Sequence, residues 1–125
     1  MKILALIFVS IVALEHLYFL ILEMFLWDKP YGMKAFGLKK DYANSTKVLA
    51  ANQGLYNGFL AAGLIWSLVE SNEVFSFYLK LFFLSCVIIA GVFGAFSTQK
   101  IKLFYVQAVP AIIALGLTLL IKVNI

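Results

Sequence analysis

Glu15 and His16 are neighbours in a run of apolar residues, and Glu23 follows His16 by seven. A carboxyl group and an imidazole held in a low dielectric suit proton handling. Burial disfavours the charged form of each and pairing favours it, so a small change in surroundings switches their state. General acid–base catalysis is open to such groups, and Glu15, His16 and Glu23 are the catalytic candidates. They are also costly where they stand. An ionised side chain at bilayer depth costs roughly 2.5–3.5 kcal/mol on insertion scales. Three ionisable groups in one apolar run therefore need partners or serve a purpose. At 100° per residue His16 and Glu23 lie about 20° apart and Glu15 roughly 100° from His16, so all three fit one side of a helix. Adjacent helical residues do not face each other, which directs Glu15 towards a neighbouring helix rather than His16.

A second polar set, Asn52, Gln53, Tyr56 and Asn57, falls on an arc of about 140° when wound as a helix. Gln107 precedes Pro110 by three, and a proline in a membrane helix frees a carbonyl that a neighbour must satisfy. In an antiparallel arrangement of helices these residues form a polar pocket with two floors. Glu15, His16 and Asn57 share one; Glu23, Asn52, Gln53 and Gln107 share the other, roughly 12 Å away at helical rise. These side chains are the expected ligand contacts, with Tyr56 and Trp27 as aromatic walls. Metal binding is not expected, because one histidine and two glutamates on one helix lack the Glu-x-x-His spacing of di-iron bundles. Cys86 is the single cysteine, so a disulfide and a cysteine metal site within one chain are excluded. No phosphate loop, dinucleotide fingerprint or nucleophile elbow is present, and no cofactor is expected.

The elements that position these residues follow from composition. The chain is 64% hydrophobic and 13% charged. A soluble domain is nearer 45–50% apolar and about 25% charged, so the natural solvent of this chain is a bilayer. Apolar stretches at 3–27, 48–69, 74–96 and 103–121 are each near the 20 residues that cross about 30 Å of hydrocarbon. The expectation is an all-α integral membrane four-helix bundle of one domain, with a lysine-rich loop at 28–47. No small-x-small cleavage site follows the first run, so it is read as a retained helix.

All ten basic residues are lysines, and net charge is +4. They lie mostly between apolar runs instead of clustering with arginine, which argues against nucleic acid. With four spans, Lys29, Lys34, Lys39, Lys40, Lys47, Lys100 and Lys102 share one side. By the positive-inside rule that side is cytoplasmic and both termini are outside. Trp27, Tyr31, Tyr78 and Tyr105 suit interfacial anchors. In the loop, Tyr31, Met33, Phe36 and Leu38 alternate with lysine and glycine, a pattern for a plain connector or for a segment lying on the lipid surface. Gly54, Gly58 and Ala62, like Gly91 and Ala95, recur every four residues and let a helix approach closely, either within the chain or in a homodimer.

Taken together, Glu15-His-x-Tyr18, Glu23-x-x-x-Trp27, Asn52-Gln-Gly-x-Tyr-Asn-Gly58 and Gln107-x-x-Pro110-Ala111 resemble the bacterial domain-of-unknown-function family thirteen-oh-four. The resemblance covers essentially the whole chain. It implies a small four-span protein of the bacterial plasma membrane and supplies no catalytic residues. The leading expectation is a binding or transport protein for a small lipophilic or amphipathic molecule, with proton coupling through Glu15 and His16. An intramembrane isomerase using the same groups is one alternative; an accessory subunit with polar residues as helix glue is another.

Overall fold

The computed structural model describes residues 1–99, 101–121 and 123, with the backbone alone at Leu103. Lys100 and Lys122, which entered the charge reading, lie outside the described residues. The chain is all-α; among the described residues there is no strand. Its elements are α1 (Lys2–Phe25), α2 (Pro30–Phe36), α3 (Lys40–Val69), α4 (Glu73–Thr98), the single turn α5 (Ile101–Leu103), a π-helical segment (Phe104–Ala108) and α6 (Val109–Leu119).

Local chemistry sets most of these limits. α1 contains neither glycine nor proline and runs unbroken for 24 residues. Pro30 opens α2, where its missing N–H would have had no helical partner. Gly37 closes α2 with φ +65°, a conformation glycine adopts at no steric cost. Asn72 caps α4, its side chain accepting from the backbone N–H of Val74 at 3.0 Å and Phe75 at 3.1 Å. Replacing Asn72 by alanine is expected to lower stability by about 1 kcal/mol, read as a lower thermal midpoint in detergent with the helix content of the folded state unchanged. The π-helical segment comes immediately before the turn carrying Pro110, where the α hydrogen-bond ladder is interrupted.

Two expectations are corrected. The segment 28–47 is not a loop: α2 lies within it, and α3 begins at Lys40, with Asp41 complementing the helix dipole in its first turn. Nor are the four apolar stretches equal. Only α1 and α4 among the described residues are long and apolar enough to cross a membrane. The polar first turns of α3 and the asparagines and glutamine midway along it lower its hydropathy, and the apolar helical stretch Phe104–Leu119 is shorter.

The chain divides into two compact units, Glu15–Phe59 and a larger one made of Met1–Leu14 with Leu60–Ile125. The larger unit has a core drawn from four helices: Val9, Val12 and Ala13 of α1, Leu64 of α3, Leu84 and Val87 of α4, and Ala111 and Ala114 of α6. Small residues let these backbones approach. At Gly91 of α4 an added Cβ would lie 3.0 Å from the Ala108 Cβ and 3.2 Å from that of Gln107.

Candidate functional site

The smaller unit holds Glu15, His16 and Glu23 on α1 with Asn52, Gln53, Tyr56 and Asn57 on α3. Two glycines set how closely these helices pass. A Cβ on Gly54 would meet Met24 Cγ at 2.7 Å and Glu23 Cβ at 3.1 Å, and one on Gly58 would meet Leu20 Cδ1 at 2.6 Å. The partner on α1 moves from 20 to 24 as that on α3 moves from 58 to 54, so the two helices are antiparallel in this unit. Leu20 therefore sits against the glycine face as an apolar wedge. The sequence reading missed this role; its signal was the position of Leu20 one turn before Glu23.

That close approach seals one polar contact. Asn57 Nδ2 donates to Glu23 Oε1 at 2.6 Å, and both side chains are buried. The oxygen accepts whether or not the carboxyl group is ionised, so the bond survives a change of proton. The expected two-floor pocket put Asn57 with Glu15 and His16 and put Asn52 and Gln53 with Glu23. The structure pairs Asn57 with Glu23 instead. The reason is the tilt of every Cα–Cβ bond towards its own helix N-terminus. In antiparallel helices Glu23 and Asn57 lean towards each other, which closes about one turn of offset that a comparison of backbone depth leaves open.

Asn52, Gln53 and Tyr56 are exposed and do not join that contact. Asn52 Nδ2 donates to the Val48 carbonyl of its own helix at 3.1 Å, and the Tyr56 ring packs edge-on to Phe59. Asn57 sits between the two faces, about 60° from Gly54 at helical spacing, so it alone of the polar arc turns inward. Gln107 is half-buried in the larger unit. Gly54, Gly58 and Gly91 all have partners within the chain, so a homodimer through those stripes would have to displace them.

His16 is fully buried, with its ring edge-on to Phe19 at a centroid distance of 5.7 Å. Glu15 is half-buried. Its Oε2 is shielded from solvent and has no hydrogen-bond partner among the described residues. A buried polar atom without a partner costs roughly 1–3 kcal/mol, so it calls for an explanation such as a ligand, an ion or a water. Among the described residues no three groups gather to hold a metal ion.

At the end of the site nearest α2, Trp27 Nε1 donates to Thr46 Oγ1 at 3.0 Å, and the Trp27 ring packs on Phe36. Tyr18 and Tyr31 meet hydroxyl to hydroxyl at 2.6 Å. Asp28 pairs with Lys47 at 3.1 Å. The hydrogen bond from Lys47 holds the Asp28 carboxyl below its ordinary value. A carboxyl whose folded value is depressed stabilises the fold above its unfolded value and loses that contribution as pH falls through the folded one. Asp28→Asn is therefore expected to lower the thermal midpoint at pH 7, with the difference from wild type shrinking once the pH is below the ordinary aspartate range.

The model of the family described as "Protein of unknown function (DUF1304)" matches residues 10–119. A relative from Lactococcus lactis subsp. lactis (strain IL1403), described as "Uncharacterized protein YpaA", is 32% identical over 117 residues, covering 92% of this chain and 96% of its own. No solved structure matches the chain.

Proposed function

The chain belongs to the family described as "Protein of unknown function (DUF1304)", and we propose that it is a four-span plasma-membrane protein binding or transporting a small lipophilic or amphipathic molecule beside Glu15 and His16. The membrane part of this reading is supported by exposure. Only 28% of the apolar window of α1 and 22% of that of α4 is buried, where the core helix of a soluble protein would be mostly covered. Large apolar side chains such as Ile89, Phe93 and Phe96 are more than two-thirds exposed, as lipid-facing residues are. In this reading α3 and the α5–α6 region supply the other two crossings. The excess of lysine puts the α1–α3 connection in the cytoplasm and both termini outside.

The observation that carries the binding reading is the shielded Glu15 oxygen without a hydrogen-bond partner among the described residues. A ligand hydroxyl or amine donating to it would remove the cost of leaving it bare. The Glu23–Asn57 bond has the other role: it ties α1 to α3 and steadies the helix that carries Glu15. Proton coupling follows from the same carboxyl, since taking up a proton turns an acceptor into a donor and changes what it holds.

Native mass spectrometry of protein released mildly from its own membranes tests this, with wild type beside Glu15→Leu. A discrete small-molecule adduct on wild type, lost in the variant at an unchanged thermal midpoint, is the expected result. The same adduct on both proteins, or only ordinary lipid on both, would leave the polar residues as helix glue and sink the proposal.

A further inference from the structure

A cavity of about 290 Å³ opens in the larger unit, bounded by the α3–α4 turn, the start of α4, the first turns of α1 and the end of α6. Lys80 lines it, two turns into α4 and inside an apolar segment where a charge is expensive. Its ammonium is held in place by a hydrogen-bond chain. Lys80 Nζ donates to Ser76 Oγ at 2.6 Å, and Ser76 Oγ donates its one hydrogen to the Ser67 carbonyl at 2.6 Å. Ser76 is 8% exposed and Ser67 fully buried, so this anchor has little freedom. An ammonium has three donors, and two remain after Ser76.

Lys2, Glu70 and Glu73 line the same cavity, and each has a partner of its own. Glu73 pairs with Lys2 at 3.4 Å. Glu70 accepts from Trp66 Nε1 at 3.2 Å with one oxygen and from the Asn72 backbone N–H at 2.9 Å with the other. Among the described residues no carboxylate lies within ion-pair distance of Lys80. Beside the apolar side chains of Leu68 and Phe77 the cavity thus offers one anchored cation with no ion-pair partner among the described residues. Its volume is at the low end for pockets that enclose a drug-sized molecule, enough for a head group and the first methylenes of a chain.

We propose that this cavity takes the anionic head group, carboxylate or phosphate, of a membrane amphiphile, with Lys80 Nζ as its charge contact. The site is in the other unit from Glu15 and does not rest on the reading of that residue. Ser76 is a positioning residue: it fixes the ammonium and leaves its remaining donors to the ligand. A lysine that merely extended along the apolar surface towards water would have no such ligand preference.

Purified protein in a neutral detergent would be titrated with palmitic acid, with its methyl ester and with inorganic phosphate, and adducts counted by native mass spectrometry. One palmitate per chain is expected. Lys80→Met should weaken it about tenfold or more, the scale of a lost charge-assisted hydrogen bond, while Lys80→Arg keeps it close to wild type. The methyl ester should bind weakly and regardless of residue 80. Glu15→Leu should leave palmitate binding intact, which separates this site from the one in the smaller unit. Equal palmitate affinity in wild type and Lys80→Met, or phosphate alone binding as tightly as palmitate, would overturn the proposal. The arginine variant keeps the test decisive if the methionine variant folds poorly.

Discussion

Asn57→Leu is expected to lower stability by about 2 kcal/mol, because it leaves the Glu23 carboxyl buried with its hydrogen-bond donor gone. Glu23→Leu should cost a similar amount by stranding the Asn57 amide. The double variant should cost clearly less than the sum, since no buried polar group is then left bare. The coupling is expected at about 1–2 kcal/mol. Polar contacts between membrane helices average about 0.6 kcal/mol because the separated helices find other partners. The bond here belongs at the upper end: it is 2.6 Å long, it involves a carboxyl group, and both side chains are buried. Unfolding in a graded detergent mixture would measure all four proteins. Strict additivity would show that the two side chains do not depend on each other, and the account of the α1–α3 contact would fail with it.

Gly32→Ala is expected to have the largest effect of any conservative change. A Cβ at Gly32 would fall well inside contact distance of the Leu26 carbonyl oxygen and carbon, which are backbone and cannot turn aside. Overpacking of this kind commonly costs about 1–3 kcal/mol and more where nothing can yield, so a loss of about 3 kcal/mol or more follows. α2 would be displaced from the end of α1, taking with it the Trp27–Phe36 stack and the Tyr18–Tyr31 contact. Gly94→Ala is the matched control, since a Cβ there meets nothing within 4 Å. Alanine is the better helix former by about 0.5–1 kcal/mol, so this change should be neutral or stabilising. Thermal midpoints of opposite sign are the expected pattern. A Gly32→Ala protein as stable as Gly94→Ala would mean that α2 is not seated on Leu26.

Several residues show how far the sequence could be read. The runs 3–27 and 74–96 hold no proline and no ionised or imidazole side chains other than Glu15, His16, Glu23 and Lys80, so the helical state of α1 and α4 and their approximate length were plain. The start of α3 was not. Lys40–Lys47 is rich in polar residues and looks like loop on hydropathy alone, yet it contains no glycine or proline to stop a helix, and Asp41 favours one. A polar contact between α1 and α3 was legible by residue type: Glu15, His16, Glu23 and Asn57 are at least half-buried. It was not legible by partner. Asn52, Gln53 and Asn57 are near neighbours in the same motif, but only Asn57 turns inward, because it alone borders the glycine face that meets Leu20. Lys80 gave no signal as a ligand contact; Ser76 one turn before it was the only hint.

Composition and order along the chain marked an all-helical protein with four apolar stretches, because each follows from the free energy of moving side chains between water and hydrocarbon, residue by residue. That only α1 and α4 among the described residues are long and apolar enough for a bilayer came with the helix limits of the structure. Which buried groups meet is a different kind of quantity. The Glu23–Asn57 bond, the seat of α2 on Leu26 and the anchoring of Lys80 on Ser76 depend on how closely helices approach and on the direction in which each side chain leaves its backbone. Those distances, only a few ångströms, arise when helices pack, and only the tertiary structure decides them.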